Sequence, residues 1–290
     1  MARRSSGALY GAILRPVRIG ALSWNLFHGR DRPPDPALFT WRSRLLRTAE
    51  RNATHVQVNR DLYARFARLI ADAEWDVALL QECPPRWCEP LARDSAAKAH
   101  RVLTSRNSFA PLRSLLARLN PDLIASNEGG ANLTLVRLGR IAERRELVLR
   151  PGPRPERRTM AYTMIALGDD LELAVANLHA SAGPANRALA EQEVLLAAQR
   201  ATAWAGPRPL ILGGDLNLRP RDSDVYETLA GRFGLVGPTS QGSLDHLLCR
   251  GLEAETAPRS WPVERRELDA DGRTIRLSDH TPVDVRFILA

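Results

Sequence analysis

The chain has 290 residues, of which 44% are hydrophobic, and a formal net charge of +8. This length and composition suit one large or two average globular domains and exclude a chain that is disordered throughout. Lys98 is the only lysine, so arginine supplies 40 of the 41 basic residues, and these are spread along the chain. The charge favours a phosphate-rich partner, with nucleic acid as one candidate, although dispersed arginines are usually solvated.

The N-terminal segment combines basic residues with a brief apolar stretch that Arg15 interrupts, and no small-residue cleavage pattern follows. No segment approaches the roughly 18 uncharged apolar residues of a membrane span. The cysteines are odd in number and lack zinc spacing, which argues against a disulfide framework; they are Cys83, Cys88 and Cys249. We therefore expect a cytoplasmic monomer without stable membrane insertion, with an N-terminal extension over residues 1–17 and one domain over residues 18–290.

In chain order, short β-like runs alternate with helical stretches, which predicts sheets covered by helices. Helical spacing of apolar residues predicts two helices between Leu38 and Ala73, then one from Leu112 to Leu119 and one from Asn186 to Trp204. The segment Arg150 to Arg158, rich in proline and arginine, is predicted to be a mobile loop that joins strands. The predicted strands are Val17 to Leu26, Val77 to Leu80, Leu123 to Ser126, Asn132 to Arg137, Arg145 to Leu149, Met160 to Leu167, Leu171 to Leu178, Leu210 to Leu212, Leu244 to Cys249 and Val283 to Leu289.

The pentapeptide Gly213 to Asn217 directly follows the strand Leu210 to Leu212. Its two glycines would let the backbone come close to a ligand, and Asp215 and Asn217 would project from the same side of an extended segment. The same residues are also common in ordinary turns, so the pattern alone leaves both interpretations open.

Six polar clusters share one placement, because each follows or borders a β-like run. Strand ends on one rim of a sheet form the usual crevice for ligands, so we expect these side chains to converge. The clusters are Asn25, Glu82, Asn177 with His179, Asp215 with Asn217, Asp245 with His246, and Asp279 with His280.

The chemistry of this set favours a magnesium-dependent phosphoryl site. Oxygen ligands from Asn25, Glu82 and Asp279 suit Mg²⁺ or Mn²⁺, whereas zinc would favour more histidine or cysteine. Carboxylates beside histidines can orient imidazoles, and the set contains candidates for activating water and stabilising phosphoryl charge. His246 would point away from its neighbour Asp245 on a strand, which favours a structural role.

The ordered motifs also resemble a known superfamily. Ser-Trp-Asn25, Gln-Glu82, Asn177-Leu-His179, Gly-Gly-Asp215-Leu-Asn217, Leu-Asp245-His-Leu-Leu and Ser-Asp279-His280 are similar to the motifs of the endonuclease/exonuclease/phosphatase superfamily, over about residues 18 to 289. The resemblance implies an α/β fold of deoxyribonuclease I type: a four-layer αββα sandwich with two mixed β-sheets packed face to face. It implies a phosphoester hydrolase that uses Mg²⁺ or Mn²⁺.

Matching the motifs residue by residue implies a role for each. Glu82 resembles the principal metal ligand, with Asn25 beside it and Asp279 near the metal. Asp215 matches the aspartate that orients or deprotonates the attacking water, and Asn217 matches its neighbour on the scissile phosphate.

The histidines of the resemblance act on the phosphate. His280 matches the residue that binds the phosphate or acts as base, hydrogen-bonded to Asp245, while His179 matches the one that stabilises the transition state or protonates the leaving oxygen. Either Asp215 or the Asp245–His280 pair is the base.

We predict a nuclease-like phosphodiesterase that attacks in line with an activated water. Asn177, Arg157 and Arg158 are candidate substrate-binding residues, although lone loop arginines are usually solvated. The alternatives are a phospholipid or inositol phosphate hydrolase on the same scaffold, and a catalytically silent binding module. All expected positions are filled, which argues against the silent module.

Overall fold

The computed structural model describes residues 16–104, 107, 109–123, 129–150, 158–168 and 170–289. Within them the helices are α1 (Trp41–Leu46), α2 (Tyr63–Asp72), α3 (Cys88–Asp94), α4 (Ala110–Leu119), α5 (Arg187–Ala205) and α6 (Val225–Phe233). The strands are β1 (Val17–Asn25), β2 (Glu50–Arg51), β3 (Val56–Gln57), β4 (Val77–Cys83), β5 (Lys98–Leu103), β6 (Ala131–Val136), β7 (Arg140–Arg150), β8 (Arg158–Ala166), β9 (Glu172–His179), β10 (Leu210–Asp215), β11 (Asp245–Arg250), β12 (Glu253–Ala254), β13 (Arg259–Ser260), β14 (Glu267–Ala270), β15 (Arg273–Arg276) and β16 (Val283–Leu289). No helix of these ranges is long and apolar enough to cross a membrane.

Two mixed sheets form the centre of the molecule. The first has the order β12-β16-β1-β4-β6-β5, with β13 also paired to β16, and the second has the order β11-β10-β9-β8-β7. Each sheet contains one parallel pair, β1 with β4 and β9 with β10, among antiparallel neighbours. β14 with β15 and β2 with β3 form two small hairpins.

Three buried apolar clusters define four layers. The cluster between the two sheets includes Ile19, Val175 and Ile211. A second cluster packs α2 and α3 on the outer face of the first sheet, and a third packs α5 and α6 on the second sheet. The order helix, sheet, sheet, helix confirms the predicted αββα sandwich, because each sheet buries one face on its partner and the other under helices.

Helix α5 shows how local sequence supports this packing. Its buried face is mostly alanine, which lets the helix axis lie close to the second sheet, and it ends where Gly206 adopts a positive φ of 59°. The short helix α1 begins at Thr40, whose hydroxyl accepts a hydrogen bond of 3.0 Å from the Ser43 N–H.

Most predicted elements are confirmed, with three kinds of difference. The predicted strand Leu123 to Ser126 is wrong at Leu123, which lies in a helical turn, and its other residues lie outside the described ranges. The predicted strand Val77 to Leu80 extends to Cys83 and contains Glu82. Sequence reasoning missed α3, β5, α6, β12 and β13 and both small hairpins, of which none has an element longer than nine residues. The predicted mobile loop falls on residues 151–157, which lie outside the described residues, between the end of β7 at Arg150 and the start of β8 at Arg158.

Candidate active site

The predicted polar side chains meet where the central parallel strands of both sheets end. Asn25 ends β1, Glu82 lies near the end of β4, His179 ends β9 and Asp215 ends β10. β11 and β16 run antiparallel to β10 and β1, so Asp245 and the residues before Val283 start from the same rim. The two sheets therefore deliver their strand ends to one cleft, as expected for open α/β sheets.

The two glycines before Asp215 allow the strands of the second sheet to approach one another. A Cβ on Gly213 would lie 2.6 Å from the His246 carbonyl oxygen on β11, and one on Gly214 would lie 1.9 Å from the Leu178 carbonyl oxygen on β9. The prediction that these glycines admit a ligand is therefore corrected, because neighbouring backbone occupies the space. Their effect on the site is indirect, since close strand packing fixes the position of Asp215.

The Asp215 carboxylate is the centre of the site. Its Oδ2 accepts a 2.9 Å hydrogen bond from the Asn25 amide and lies 3.4 Å from His179 Nε2 and 3.6 Å from His280 Nε2. Its Oδ1 accepts a 3.1 Å hydrogen bond from the Asn217 N–H. Burial alone would favour the protonated form, but the two histidines and these hydrogen bonds outweigh it and lower the pKa of Asp215. The carboxylate is therefore ionised at neutral pH.

Asp245 and His280 form a hydrogen-bonded pair beside it. Asp245 Oδ2 lies 2.7 Å from His280 Nδ1. Burial opposes the charge on His280, yet Asp215 and Asp245 together raise the pKa of His280 well above its usual value. Burial, helped by Asp215 and opposed by His280, raises the pKa of Asp245 to about 6. Near neutral pH the pair is an imidazolium held by carboxylates.

Ser278 connects this pair to the first sheet. Its hydroxyl donates a 2.7 Å hydrogen bond to the Asn25 carbonyl and accepts a 3.0 Å hydrogen bond from the His280 N–H. Ser278 has a φ of 60°, in the left-handed region that is strained for residues other than glycine. One hydroxyl thus fixes the backbone of His280 against the end of β1.

His179 has the opposite protonation state from His280. Burial, aided by the positive charge of the buried Arg158, lowers the pKa of His179 to about 4, against the attraction of Asp215 and Glu82. The ring is therefore neutral, and its Nε2 faces Asp215 at 3.4 Å and Glu82 at 3.9 Å. A neutral imidazole with Nε2 toward carboxylates carries its proton on that nitrogen, where it can donate a hydrogen bond.

Glu82 lies on the opposite side of the cleft with His28, which sequence reasoning missed. Glu82 Oε2 is 3.5 Å from His28 Nε2. Glu82 has a φ of 47° and lies where the register between β4 and β6 shifts, a bulge that turns the side chain into the cleft. Burial opposes its ionisation, but His28 and His179 outweigh burial and lower the pKa of Glu82.

The donor set of the cleft fits a divalent cation. The ligand atoms of Asp215, Asp245 and His280 lie within 4.8 Å of one another, close enough that they could hold a metal ion. Glu82 adds an ionised carboxylate, and oxygen donors of this kind suit Mg²⁺ or Mn²⁺. Asp279 is exposed at the rim, where partial loss of solvent and the charge of Glu82 raise its pKa against the attraction of His280.

Two predicted residues differ from their predicted placement, and a third is not described. Asn177 has 0% exposed surface and bridges the two sheets: its amide accepts from Gln81 Nε2 at 2.9 Å and donates to the Leu133 carbonyl at 3.1 Å. Its predicted substrate-binding role is therefore corrected to a structural one. Asn217 is not extended, with a φ of 52°, and its amide donates to the Ala180 carbonyl at 3.0 Å. Arg157 lies outside the described residues.

The structural interpretation of His246 agrees with the geometry. Its Nδ1 accepts a hydrogen bond from the Thr239 N–H at 3.1 Å, and its Nε2 lies 3.0 Å from the Ser243 carbonyl. Burial lowers its pKa to about 4, so the ring is neutral and points away from the cleft that Asp245 faces.

Known proteins resemble this chain in sequence and in fold. A sequence profile of the Endonuclease/Exonuclease/phosphatase family matches residues 22–280. A comparison with curated proteins gives no significant match.

Solved structures share the fold at low sequence identity. An endonuclease/exonuclease/phosphatase family protein from Bacteroides thetaiotaomicron superposes with a TM-score of 0.62 and 14% identity, covering 95% of this chain and 99% of that chain. The mannosyl-6-phosphatase of the same bacterium has a TM-score of 0.61 and 14% identity, covering 93% and 99%. TDP2 from C. elegans has a TM-score of 0.56 and 16% identity, covering 93% and 75%.

Proposed function

Because the chain belongs to the endonuclease/exonuclease/phosphatase family, we propose that it is a metal-dependent phosphodiesterase whose reaction centre is Asp215. The single observation that carries this proposal is the ionised Asp215 carboxylate, which lies between the neutral His179 at 3.4 Å and the protonated His280 at 3.6 Å. A carboxylate that faces two different hydrogen-bond donors in one cleft can position a water beside a bound phosphate.

We assign the metal to the Glu82 side of the cleft, with Asn25 and Asp279 as further ligands. The other candidate group, Asp215, Asp245 and His280, contains a histidine whose pKa is raised by the two carboxylates against the effect of burial, so a proton would compete with a cation there. A bound Mg²⁺ or Mn²⁺ would polarise the phosphoryl group and stabilise the leaving oxygen.

Residues of the chain activate the attacking water and stabilise the charge on the phosphoryl group in this proposal. Asp215 orients the attacking water and accepts its proton, because Asp215 and Asp245, against the effect of burial, raise the pKa of His280 and favour its protonated form. In this proposal the imidazolium of His280, 3.6 Å from Asp215, stabilises the charge that develops on the phosphoryl oxygens. His179, whose pKa is about 4, donates a hydrogen bond from Nε2 rather than a proton.

For the substrate, the net charge of +8 favours a polyanion, so nuclease-like cleavage of nucleic acid is the first candidate. A phospholipid headgroup is the second, because exposed apolar side chains on α1 and α4 border the same cleft. Turnover of plasmid, abasic duplex, inositol phosphates, phospholipid vesicles and bis(p-nitrophenyl) phosphate, each with Mg²⁺ or Mn²⁺, separates these classes.

Variants of the site test the assignment itself. Asp215→Asn and His280→Ala should each lower turnover at least about 10³-fold while circular dichroism and unfolding remain cooperative. Asp72→Asn is the matched control, because this carboxylate is 68% exposed on α2 and pairs only with Arg68 among the described contacts. Wild-type rates in Asp215→Asn, or no turnover of any ester by the wild type with metal present, would refute the proposal.

A further inference from the structure

The exposed apolar side chains of this protein are concentrated on two helices. Trp41 is 64% exposed, Leu46 is 63% exposed and Phe109, just before α4, is 79% exposed. Among the described residues only two other large apolar side chains outside this region are exposed, Leu103 and Val236. We name the apolar rim as Trp41, Leu45, Leu46, Phe109, Leu112, Leu115, Leu116 and Leu119. Exposed apolar side chains grouped in this way mark an interaction surface.

Hydrogen bonds connect the two helices of the apolar rim. At the end of α4, the Asn120 amide donates a 2.9 Å hydrogen bond to the Arg44 carbonyl of α1. Asn59 donates at 2.6 Å to Asn120 and at 2.9 Å to the Ser43 carbonyl, so a third segment holds both helix ends. α1 and α4 therefore present one surface rather than two independent ones.

The apolar rim also adjoins the catalytic cleft. Arg30, two residues after His28, forms a 2.9 Å ion pair with Asp122, which lies three residues after the last residue of α4. Gly130, just before β6, is also close to the cleft: a Cβ on it would lie 3.6 Å from a ring carbon of His28 and 4.0 Å from the Glu82 Cα. A molecule bound on the rim would thus lie beside the cleft entrance.

The charges on these helices have one sign. The sequences of α1 and α4, WRSRLL and APLRSLLARL, contain arginine as their only charged residue type. Arg42 and Arg44 alternate with the apolar residues of α1, and Arg113 and Arg118 do so on α4. Arginine can lay its stem along an apolar surface while its guanidinium reaches a phosphate layer.

A cavity of about 210 Å³ lies beside α1. Its lining includes Arg30, Arg32 and Arg44, with Phe39 beneath the Arg32 guanidinium at 4.3 Å from the ring centre. Asp122 occupies one wall and is paired with Arg30. Among the described ion pairs, neither Arg32 nor Arg44 has a carboxylate partner, so their guanidiniums could bind an anionic group of the size of a phosphate.

We propose that the apolar rim docks this protein on the surface of an anionic phospholipid bilayer. The combination of aromatic, leucine and arginine side chains without acidic ones matches the boundary between acyl chains and anionic headgroups. A second copy of this chain fits less well, because arginines would face arginines on a protein that carries a net charge of +8. This docking is independent of catalysis, although it would bring lipid phosphates to the cleft.

The test is binding to vesicles of phosphatidylcholine with about 30 mol% phosphatidylserine, compared with pure phosphatidylcholine. We expect co-sedimentation with the anionic vesicles that is at least about 10-fold stronger and that weakens as salt is raised. Trp41→Ala combined with Leu115→Ser, and Arg113→Gln combined with Arg118→Gln, should each reduce binding at least about 10-fold. Val236→Ser and Arg68→Gln, exposed positions away from the rim, are the controls and should bind like the wild type.

Asp215→Asn should bind vesicles as the wild type does, which separates docking from turnover. Equal sedimentation with both lipid mixtures, or unchanged binding by both rim variants, would overturn the proposal. So would light scattering that shows a dimer in the wild type and a monomer in the Trp41→Ala, Leu115→Ser variant, because a second copy would then be the occupant of the rim.

Discussion

Asp245→Asn isolates the charge of one site carboxylate while preserving its shape. The asparagine oxygen can still accept the hydrogen bond from His280 Nδ1, which Asp245 Oδ2 accepts at 2.7 Å. The negative charge that supports the His280 imidazolium is lost. We therefore expect a folded protein with slower turnover and a changed pH profile.

The size of the effect follows from the geometry. Two unit charges centred about 4 Å apart interact by about 4 kcal/mol at an effective dielectric constant of about 20. The retained neutral hydrogen bond contributes about 1 kcal/mol, so about 3 kcal/mol of support for the imidazolium disappears. At about 1.4 kcal/mol per factor of ten, turnover at its optimum should fall about 100-fold.

The pH dependence has a definite sign. Because the pKa of Asp245 is raised to about 6, its carboxylate is present above that pH and is lost as the pH falls through it, so wild-type turnover should drop below about pH 6. The lowered pKa values of Asp215 and Glu82 place their protonation at more acid pH. In Asp245→Asn the acid limb of the pH profile should therefore shift to lower pH. The alkaline limb should also shift to lower pH, because the neighbouring negative charge that raises the pKa of His280 is removed.

The assay is kcat against pH on bis(p-nitrophenyl) phosphate at saturating Mg²⁺, with the surface variant Asp72→Asn as the control. An acid limb that stays near pH 6 in Asp245→Asn would show that another group titrates there. Turnover equal to that of the wild type across the profile would refute the role of the Asp245–His280 pair.

Two further predictions concern the metal and the strand packing. Glu82→Gln should raise the Mg²⁺ concentration for half-maximal turnover at least about 10-fold, because it removes a charged ligand. Glu74→Gln, which changes a 90% exposed carboxylate, is the control and should leave this concentration unchanged. An unchanged metal dependence in Glu82→Gln would show that Glu82 is not a metal ligand. Gly214→Ala should lower the free energy of unfolding by about 3 kcal/mol or more in urea, because its Cβ would lie 1.9 Å from the Leu178 carbonyl oxygen at a φ of 130°. Gly231→Ala, within α6 and with no atom near its Cβ, should instead stabilise slightly, and equal effects of the two changes would contradict the packing argument.

Much of the fold was predictable because strand runs and polar residues coincide. Asn25, His179 and Asp215 each occupy the last position of a strand, and in parallel neighbours those positions meet at one rim. The sequence order of these ends is enough to predict that they converge.

The errors have physical causes. Asn177 shares a face with His179 but lies two residues back from the strand end, about 6–7 Å inside the sandwich, where alternation alone cannot distinguish a ligand contact from a bridge between sheets. His28 lies in a turn and has a φ of 52°. No pattern in the sequence predicts that this conformation places His28 beside Glu82. Helical spacing predicted a helix around Leu45 and Leu46, but spacing does not reveal whether protein covers these side chains.

The hydrogen bond between Asn25 and Asp215, 2.9 Å long, crosses from one sheet to the other. Neither sheet alone holds a complete reaction centre, since Glu82 and Asn25 come from the first and His179, Asp215 and Asp245 from the second. We therefore expect turnover to depend on how the two sheets pack against each other. A substitution deep between them, at Val175 or Ile211, would be felt as lost turnover at temperatures where the secondary structure of each sheet is still intact.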